Sequence, residues 1–551
     1  MPAKSPYPDI NVPEVDIWAF LFDKQYEFPE TKTIYTDPLA RRSYTFADVK
    51  RLTAEFGAGL RTAWDWKKDD VLLIYSPNSI DTAVVMWGTH WAGGILTPAN
   101  PGYTVHELAF QLKDSGAKAI ATQKEFIDQA CEAAKLVGIA PDRIILIGNQ
   151  GEKSQFSHFT EICKLGKRQG ERLLKCTISN PKHDLAFLVY SSGTTGSPKG
   201  VMLSHTNIIS NLLMLKASEG VNMSWKGRHY DGGDRILGFL PFYHIYGLTS
   251  LVHQSLINGL ELVVMSKFDL ENFCRHIQHY KITMAYVVPP VLLQLAKSGI
   301  VDRFDLSSLR MMSSGAAPLS RELVDAVYKR LRVPIKQAYG LSETSPTTHS
   351  QPWDTWDKYI GSVGPLLANQ IVKYMSPEEV ELPLGTAGEI WIKGPNIFQG
   401  YLNNPQGTQN ALTSDGYFKT GDIGYQDETG NLYITDRMKE LIKYKGFQVP
   451  PAELEGHLLT HHDVEDVAVV GFYRKEMATE VPVAFVVLRN GIDGTPAKEK
   501  EIVQWLSSMV ASHKRLRGGI RWAKKIPKSP SGKILRRVLR KEMEELSRAK
   551  L

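Results

Sequence analysis

Cysteine is scarce in this chain: four in 551 residues, at Cys131, Cys163, Cys176 and Cys274. None stands in a C-x-x-C pair or at a zinc-binding spacing, which excludes a disulfide scaffold and fits reduced thiols in an intracellular compartment. Long apolar runs are missing too. No uninterrupted stretch is long enough to span a bilayer, and Met1-Pro-Ala-Lys-Ser-Pro-Tyr-Pro lacks the hydrophobic core of a secretory signal, so the expectation is a soluble protein without a transmembrane segment. Nor does one sign of charge dominate. With 65 basic and 59 acidic residues the formal charge is +6, too little over this length to argue for nucleic acid or membranes but compatible with an anionic substrate. Repeats and low-complexity tracts are absent. The 43% hydrophobic content is that of an ordinary globular protein, and the length predicts two or more domains.

Against that background one stretch stands out, Tyr190-Ser-Ser-Gly-Thr-Thr-Gly-Ser-Pro-Lys-Gly200. Ser191, Ser192, Thr194 and Thr195 supply hydroxyl donors, Gly193 and Gly196 let backbone N–H groups turn inward, and Lys199 adds a positive charge. Together they make a cradle for phosphate oxygens. A Walker A loop follows its Lys with Ser or Thr to reach magnesium, whereas Lys199 is followed by Gly200, so any magnesium ligand must come from elsewhere. The flanking runs predict a buried strand at Leu185-Ala-Phe-Leu-Val-Tyr190 and a short strand Val201-Met-Leu203 that leads through Ser204 into a helix. A solvated Gly/Ser linker would lack those strands.

Helical patterns alternate with short apolar runs, among them Val71-Leu-Leu-Ile-Tyr75, Arg143-Ile-Ile-Leu-Ile147, Glu261-Leu-Val-Val-Met265 and Met284-Ala-Tyr-Val-Val288. This is an α/β signature with parallel sheets. Turn-separated short strands from Ile371 to Ile434 predict a β-rich subdomain, and after a polar junction the pattern resets to a compact α+β segment with a helix at Pro451 to Leu459. The expected fold is therefore α/β: a large N-terminal domain, residues 1–436, of two α/β subdomains plus a β-rich one, and a small mobile α+β C-terminal domain, residues 437–551.

Further segments accompany the cradle: Gln337-Ala-Tyr-Gly-Leu-Ser-Glu343, Tyr417-Phe-Lys-Thr-Gly-Asp422, the basic run Asp436-Arg437-Met-Lys-Glu-Leu-Ile-Lys443-Tyr-Lys-Gly-Phe-Gln448, and Pro527-Lys-Ser-Pro-Ser-Gly-Lys533. In this order the set resembles the adenylate-forming superfamily of acyl-CoA ligases, luciferases and adenylation domains, from Tyr44-Thr-Phe46 to Lys533. The likeness is strongest to 4-coumarate-CoA ligase-like enzymes, on Pro241-Phe-Tyr-His-Ile-Tyr-Gly-Leu248, Lys267-Phe-Asp269, Ser314-Gly-Ala-Ala-Pro-Leu319 and Lys445-Gly-Phe-Gln-Val449.

The resemblance implies a ligase that uses ATP, Mg²⁺ and coenzyme A to join a small-molecule carboxylic acid to the CoA thiol through an acyl-adenylate. It places Ser191 to Lys199 on the ATP phosphates, Ala316, Gln337 and Ala338 beside the adenine with Tyr339 and Gly340 following, and Asp422 with Arg437 on the ribose. Ser342 stands where relatives usually have Thr, and Ala338 where the plant enzymes usually have Gly. Glu343 is implied to hold the metal. Lys533 is implied to bridge the acid and the α-phosphate. The C-terminal domain is then implied to turn about Lys439, with Gln448 also near the nucleotide, replacing Lys533 with a face that carries Lys443, Lys445 and Gly446 for the CoA step. Lys267 is a further CoA contact. His244 is implied to position the acid rather than act as base, and Tyr243, Tyr246, Ser250, Met284, Ser314, Gly315, Pro346, Thr347 and Thr348 to line the acyl site. That mixture is small and partly polar, suited to an aryl or cinnamate-like acid or to a medium-chain one. The same set would serve a luciferase-like or carrier-loading enzyme, or a silent adenylate-binding protein. Ala549-Lys550-Leu551 is a variant of the Ser-Lys-Leu peroxisomal address, which implies a peroxisomal import receptor as partner and the peroxisome, otherwise the cytoplasm, as location.

Overall fold

Val71–Tyr75 is buried at every position, and its alternate residues serve two different cores. Leu72 and Ile74 point into the largest hydrophobic cluster; Val71, Leu73 and Tyr75 point into a second one. A strand covered on both faces belongs inside a parallel sheet. The computed structural model, which describes residues 2–149, 154–191, 198–227, 233–437, 440–444, 447–474, 477, 479–529 and 532–548, places it there. Its neighbours are Ile95–Ala99 and Ala117–Thr122, both parallel to it.

Among the described residues two eight-stranded sheets form the body of the N-terminal region. The first continues from Ile95–Ala99 through Leu185–Ser191 to the antiparallel strand Lys199–Ser204. The second has a parallel centre that includes Met284–Val287, Met311–Ser314 and Ile335–Gly340, with the antiparallel strand Thr347–Ser350 at one edge. The helix Asp81–Trp91 has every residue buried, as a helix held between layers must. The helix His205–Glu219 is nearly as enclosed, and its N-cap Ser204 forms a reciprocal capping box with Asn207. The largest core joins residues of both sheets around these helices.

The predicted β-rich subdomain is a five-stranded antiparallel sheet ending in Leu432–Arg437. Beyond it, the long strands Val464–Arg474 and Thr479–Leu488 pair with each other and carry helices on both faces. Arg437 is still in the five-stranded sheet, paired with Asp422, whereas Glu440 is held by Arg536 of the C-terminal domain at 2.6 Å. Arg536 is fixed in turn by Glu455 and the Val469 carbonyl. The N-terminal sheet thus runs through Arg437, while Glu440 is tied to the C-terminal domain.

Candidate active site

A cavity of about 880 Å³ opens where the parallel strands of both sheets end. Open α/β sheets bind ligands at these carboxyl ends. Ser191, the last residue of its strand, lies on the wall, and Lys199 enters from the antiparallel strand beside it. Gly315 and Ala316, which follow Met311–Ser314, and Ala338, Tyr339 and Gly340, which close Ile335–Gly340, supply the facing wall.

The ionic groups converge from distant parts of the chain. Glu343 lies on the wall in a short turn after Gly340, and one of its oxygens accepts the Tyr401 hydroxyl at 2.8 Å. The Tyr401 ring lies 4.8 Å from the Lys199 ammonium. Burial and the adjoining Glu343 carboxylate raise the Tyr401 pKa, so the phenol stays a donor. Lys533 closes the cavity from the C-terminal domain together with Lys528, Ser529 and Leu535. The loop is held locally: the Lys533 amide donates to Ser529 Oγ at 3.1 Å, and Lys528 pairs with Asp466.

His244 caps the short helix Ile245–Gly247, its Nδ1 accepting the Tyr246 amide at 3.3 Å. Burial first, and the charge of Lys533 second, push its pKa down to about 4. It is therefore neutral near pH 7, able to orient a carboxylate without adding charge. Tyr246 is anchored through its hydroxyl to the Ser313 carbonyl at 3.1 Å and meets Tyr286 edge-on. A β-carbon at Gly315 would lie 3.3 Å from the Tyr246 ring, and one at Gly340 only 2.1 Å from the Pro346 carbonyl oxygen. Both glycines keep the wall flat.

Two family models match the chain: the AMP-binding enzyme family over residues 21–402 and the AMP-binding enzyme C-terminal domain over 453–533. The chain belongs to the AMP-binding enzyme family. It is 39% identical over 548 residues to a probable 4-coumarate–CoA ligase 2 of Dictyostelium discoideum, covering 97% of each chain. A 4-coumarate:CoA ligase 1 of Petunia hybrida is 38% identical, with 98% of this chain and 96% of the relative covered. Among solved structures, ATP-bound MatB from Rhodopseudomonas palustris superposes with a TM-score of 0.83 at 27% identity, over 97% of this chain and 99% of that one. An anthranilate CoA ligase in complex with anthranoyl-AMP shares the fold, with a TM-score of 0.86 at 23% identity, over 98% and 99%.

On this cavity the structure brings together Ser191, Lys199, Ala316, Ala338, Tyr339, Gly340, Ser342, Glu343, His244 and Lys533 and, of the residues expected at the acyl end, Tyr243, Tyr246, Gly315, Pro346 and Thr347. Other expected residues do not line this cavity. Met284 starts its strand, at the end away from the cavity, and is core. Ser250 is buried in the helical segment Leu248–His253 and does not reach the wall. Ser314 is buried, its hydroxyl without a hydrogen-bond partner among the described residues, and does not line the cavity. Strand alternation turns Thr348 away from the face that Thr347 presents, and its hydroxyl bonds to Tyr339 and His349. Gln337 is buried in its strand and does not line the cavity. Asp422 stands behind the wall, accepting the Tyr339 hydroxyl at 2.7 Å, while its neighbour Gly421 lines the cavity.

Lys267 and Lys443 are exposed and away from the cavity. Ser192, Gly193, Thr194, Thr195, Gly196, Lys439, Lys445, Gly446 and Ala549 to Leu551 lie outside the described residues, as do the side chains of Arg437 and Gln448. The sequence reading missed Tyr190, whose hydroxyl bonds Asp114 at 2.6 Å, and Tyr401, Lys528 and Leu535. For Lys528 the signal was present in Pro527-Lys-Ser-Pro; for Tyr401, a lone aromatic after glycine, there was none.

Proposed function

We propose that this protein is an ATP- and Mg²⁺-dependent acid:CoA ligase that forms AMP, acting on an aryl or cinnamate-like acid or on a medium-chain one. The observation that carries the reading is the convergence of Lys199, Glu343 and Lys533 on one cavity, although they lie far apart in sequence. A carboxylate approaching a triphosphate is repelled. Each pair of unit charges about 4 Å apart costs about 4 kcal/mol at an effective dielectric constant of about 20, so fixed cations decide whether the approach is feasible. Lys199 and Lys533 supply them, one from each domain.

The residues fit a magnesium ion: Glu343 is a hard oxygen donor on the wall, its other oxygen carries no hydrogen bond among the described residues, and Mg²⁺ is commonly held by one or two carboxylates plus phosphates. When bound, the ion neutralises charge on the phosphates and on the departing pyrophosphate. His244 and Lys533 orient the acid so that its oxygen attacks the α-phosphorus while the bond to pyrophosphate breaks. In the second step the CoA thiolate attacks the acyl carbonyl carbon and AMP leaves. Lys533, once its partner charge has gone, stands where CoA must enter. The junction between 437 and 440 then serves as hinge, exchanging it for the face bearing Lys443, Lys445 and Gly446.

The test is incubation with ATP, Mg²⁺, CoA and a panel of aryl, cinnamate-like and medium-chain acids, with thioesters read by mass spectrometry. Thioester from at least one acid is expected; adenylate without thioester for all would point to a luciferase-like or carrier-loading enzyme, and no pyrophosphate release to a silent binder. The names of the curated relatives put 4-coumarate first in the panel. The C-terminal Ala549-Lys550-Leu551 supports a peroxisomal location through its import receptor. Deleting these three residues is expected to abolish import and leave catalysis intact, and continued import would remove the assignment.

A further inference from the structure

The helix Pro289–Lys297 of the N-terminal domain touches the C-terminal domain at both of its ends. At the start, Gly532, beside Lys533, packs against Val288 and Pro290 so closely that a β-carbon there would stand 3.2 Å from Val288 and 3.3 Å from Pro290. At the other end the Lys297 ammonium donates to the carbonyls of Val464 and Glu465, each at 3.1 Å. The contacts are separated by the helix length, roughly 13 Å at about 1.5 Å per residue, so together they fix the orientation of one domain on the other and not just their proximity.

The far contact is wired to the catalytic loop. Val464 and Glu465 precede Asp466, whose two carboxylate oxygens take the Lys528 ammonium at 2.9 and 2.7 Å. Lys528 bridges to Ile534 across the loop, and within it the Ser529 amide donates to the Lys533 carbonyl at 2.7 Å. A continuous path thus runs from Lys297 through Asp466 and Lys528 to the segment that presents Lys533. The cation meets backbone carbonyls of the other domain, a charge-assisted contact that depends on the pose and that water can replace when the domain turns. Around it stand Glu465, Asp466 and Arg489; burial, the larger effect, lowers the Lys297 pKa.

We infer that Lys297 is a latch for adenylate formation: a positioning residue that holds the C-terminal domain in the pose delivering Lys533, and that lets go for the CoA step. This rests on the ligase reading above. The test compares Lys297→Met, which keeps the stem without donors, and Lys297→Arg, which keeps them. With 4-coumarate, or whichever acid of the panel the wild type activates, ATP–pyrophosphate exchange is expected to fall about tenfold in the Met variant and to recover in the Arg variant, as loss of a charge-assisted bond implies. Thioester formation from supplied acyl-adenylate is expected to be unchanged or faster in both. Equal loss of both half-reactions, undiminished exchange in the Met variant, or an Arg variant as impaired as the Met one would overturn the latch. Should the wild type activate no acid, the ligase reading fails separately. The latch is then decided by hydrogen exchange of residues 527–535 with ATP and Mg²⁺ alone: faster exchange in the Met variant supports it, and identical exchange overturns it.

Discussion

Lys336 lies at 1% exposure against Glu219 at 4%, and the pair is completed by Ser350 and by Trp353, whose indole N–H donates to Glu219 at 2.7 Å. These contacts tie the end of the helix His205–Glu219 to the strand Ile335–Gly340, two residues below Ala338 of the cavity wall. Removing one partner strands the other charge, so Lys336→Met is expected to cost about 3–5 kcal/mol, and Lys336→Met combined with Glu219→Gln less. Urea midpoints of the two variants check this; a double variant as unstable as the single one would show that the pair is not coupled. At this scale the sequence announced charged and hydroxylated residues that sit in motifs, such as Lys533, Glu343 and Ser191. It did not announce Tyr401 or the Lys336–Glu219 pair, because those partners lie 58 and 117 residues apart and no local pattern joins them.

Elements were legible where local chemistry sets their limits. The helix Pro451–Leu459 begins at a proline in its first turn and was read with the same bounds. The strand Val71–Tyr75 was likewise a bounded apolar run. Where pairing sets the limits, the reading fell short: the short strand expected at Val201-Met-Leu203 extends over Lys199–Ser204 because Leu185–Ser191 offers it an antiparallel partner. Register was not legible either. Met284 stands at the end of its strand away from the cavity and Thr348 on the face turned from it, since which side of a strand meets the cavity depends on neighbours remote in sequence. Nor was it legible that Arg437 is kept in the N-terminal sheet by pairing with Asp422.

For the molecule as a whole, buried imidazoles set the response to acid. His90, His253 and His349 have pKa values pushed down to about 3 and His205 to about 4, in each case chiefly by burial. His253 shows why neutrality is required: its Nε2 accepts the Trp87 indole N–H at 3.1 Å while Nδ1 lies 2.8 Å from the Leu248 carbonyl. Unfolding restores ordinary values near 6.5, so below that pH the unfolded chain binds the extra protons. Stability from these groups is complete above pH 6.5 and is lost as pH falls toward 3 to 4, by about 1.4 kcal/mol per histidine for each unit within that window. The melting temperature is accordingly expected to be lower at pH 5.5 than at pH 7.5; an equal or higher value at pH 5.5 would contradict the assignment. The central claim is that two domains share one nucleotide, with Lys533 serving only the first of two steps. The most direct measurement is Lys533→Ala assayed separately for pyrophosphate exchange and for thioester formation from supplied acyl-adenylate. The account predicts that the first is abolished and the second largely kept; equal loss of both, or none of the first, would contradict it.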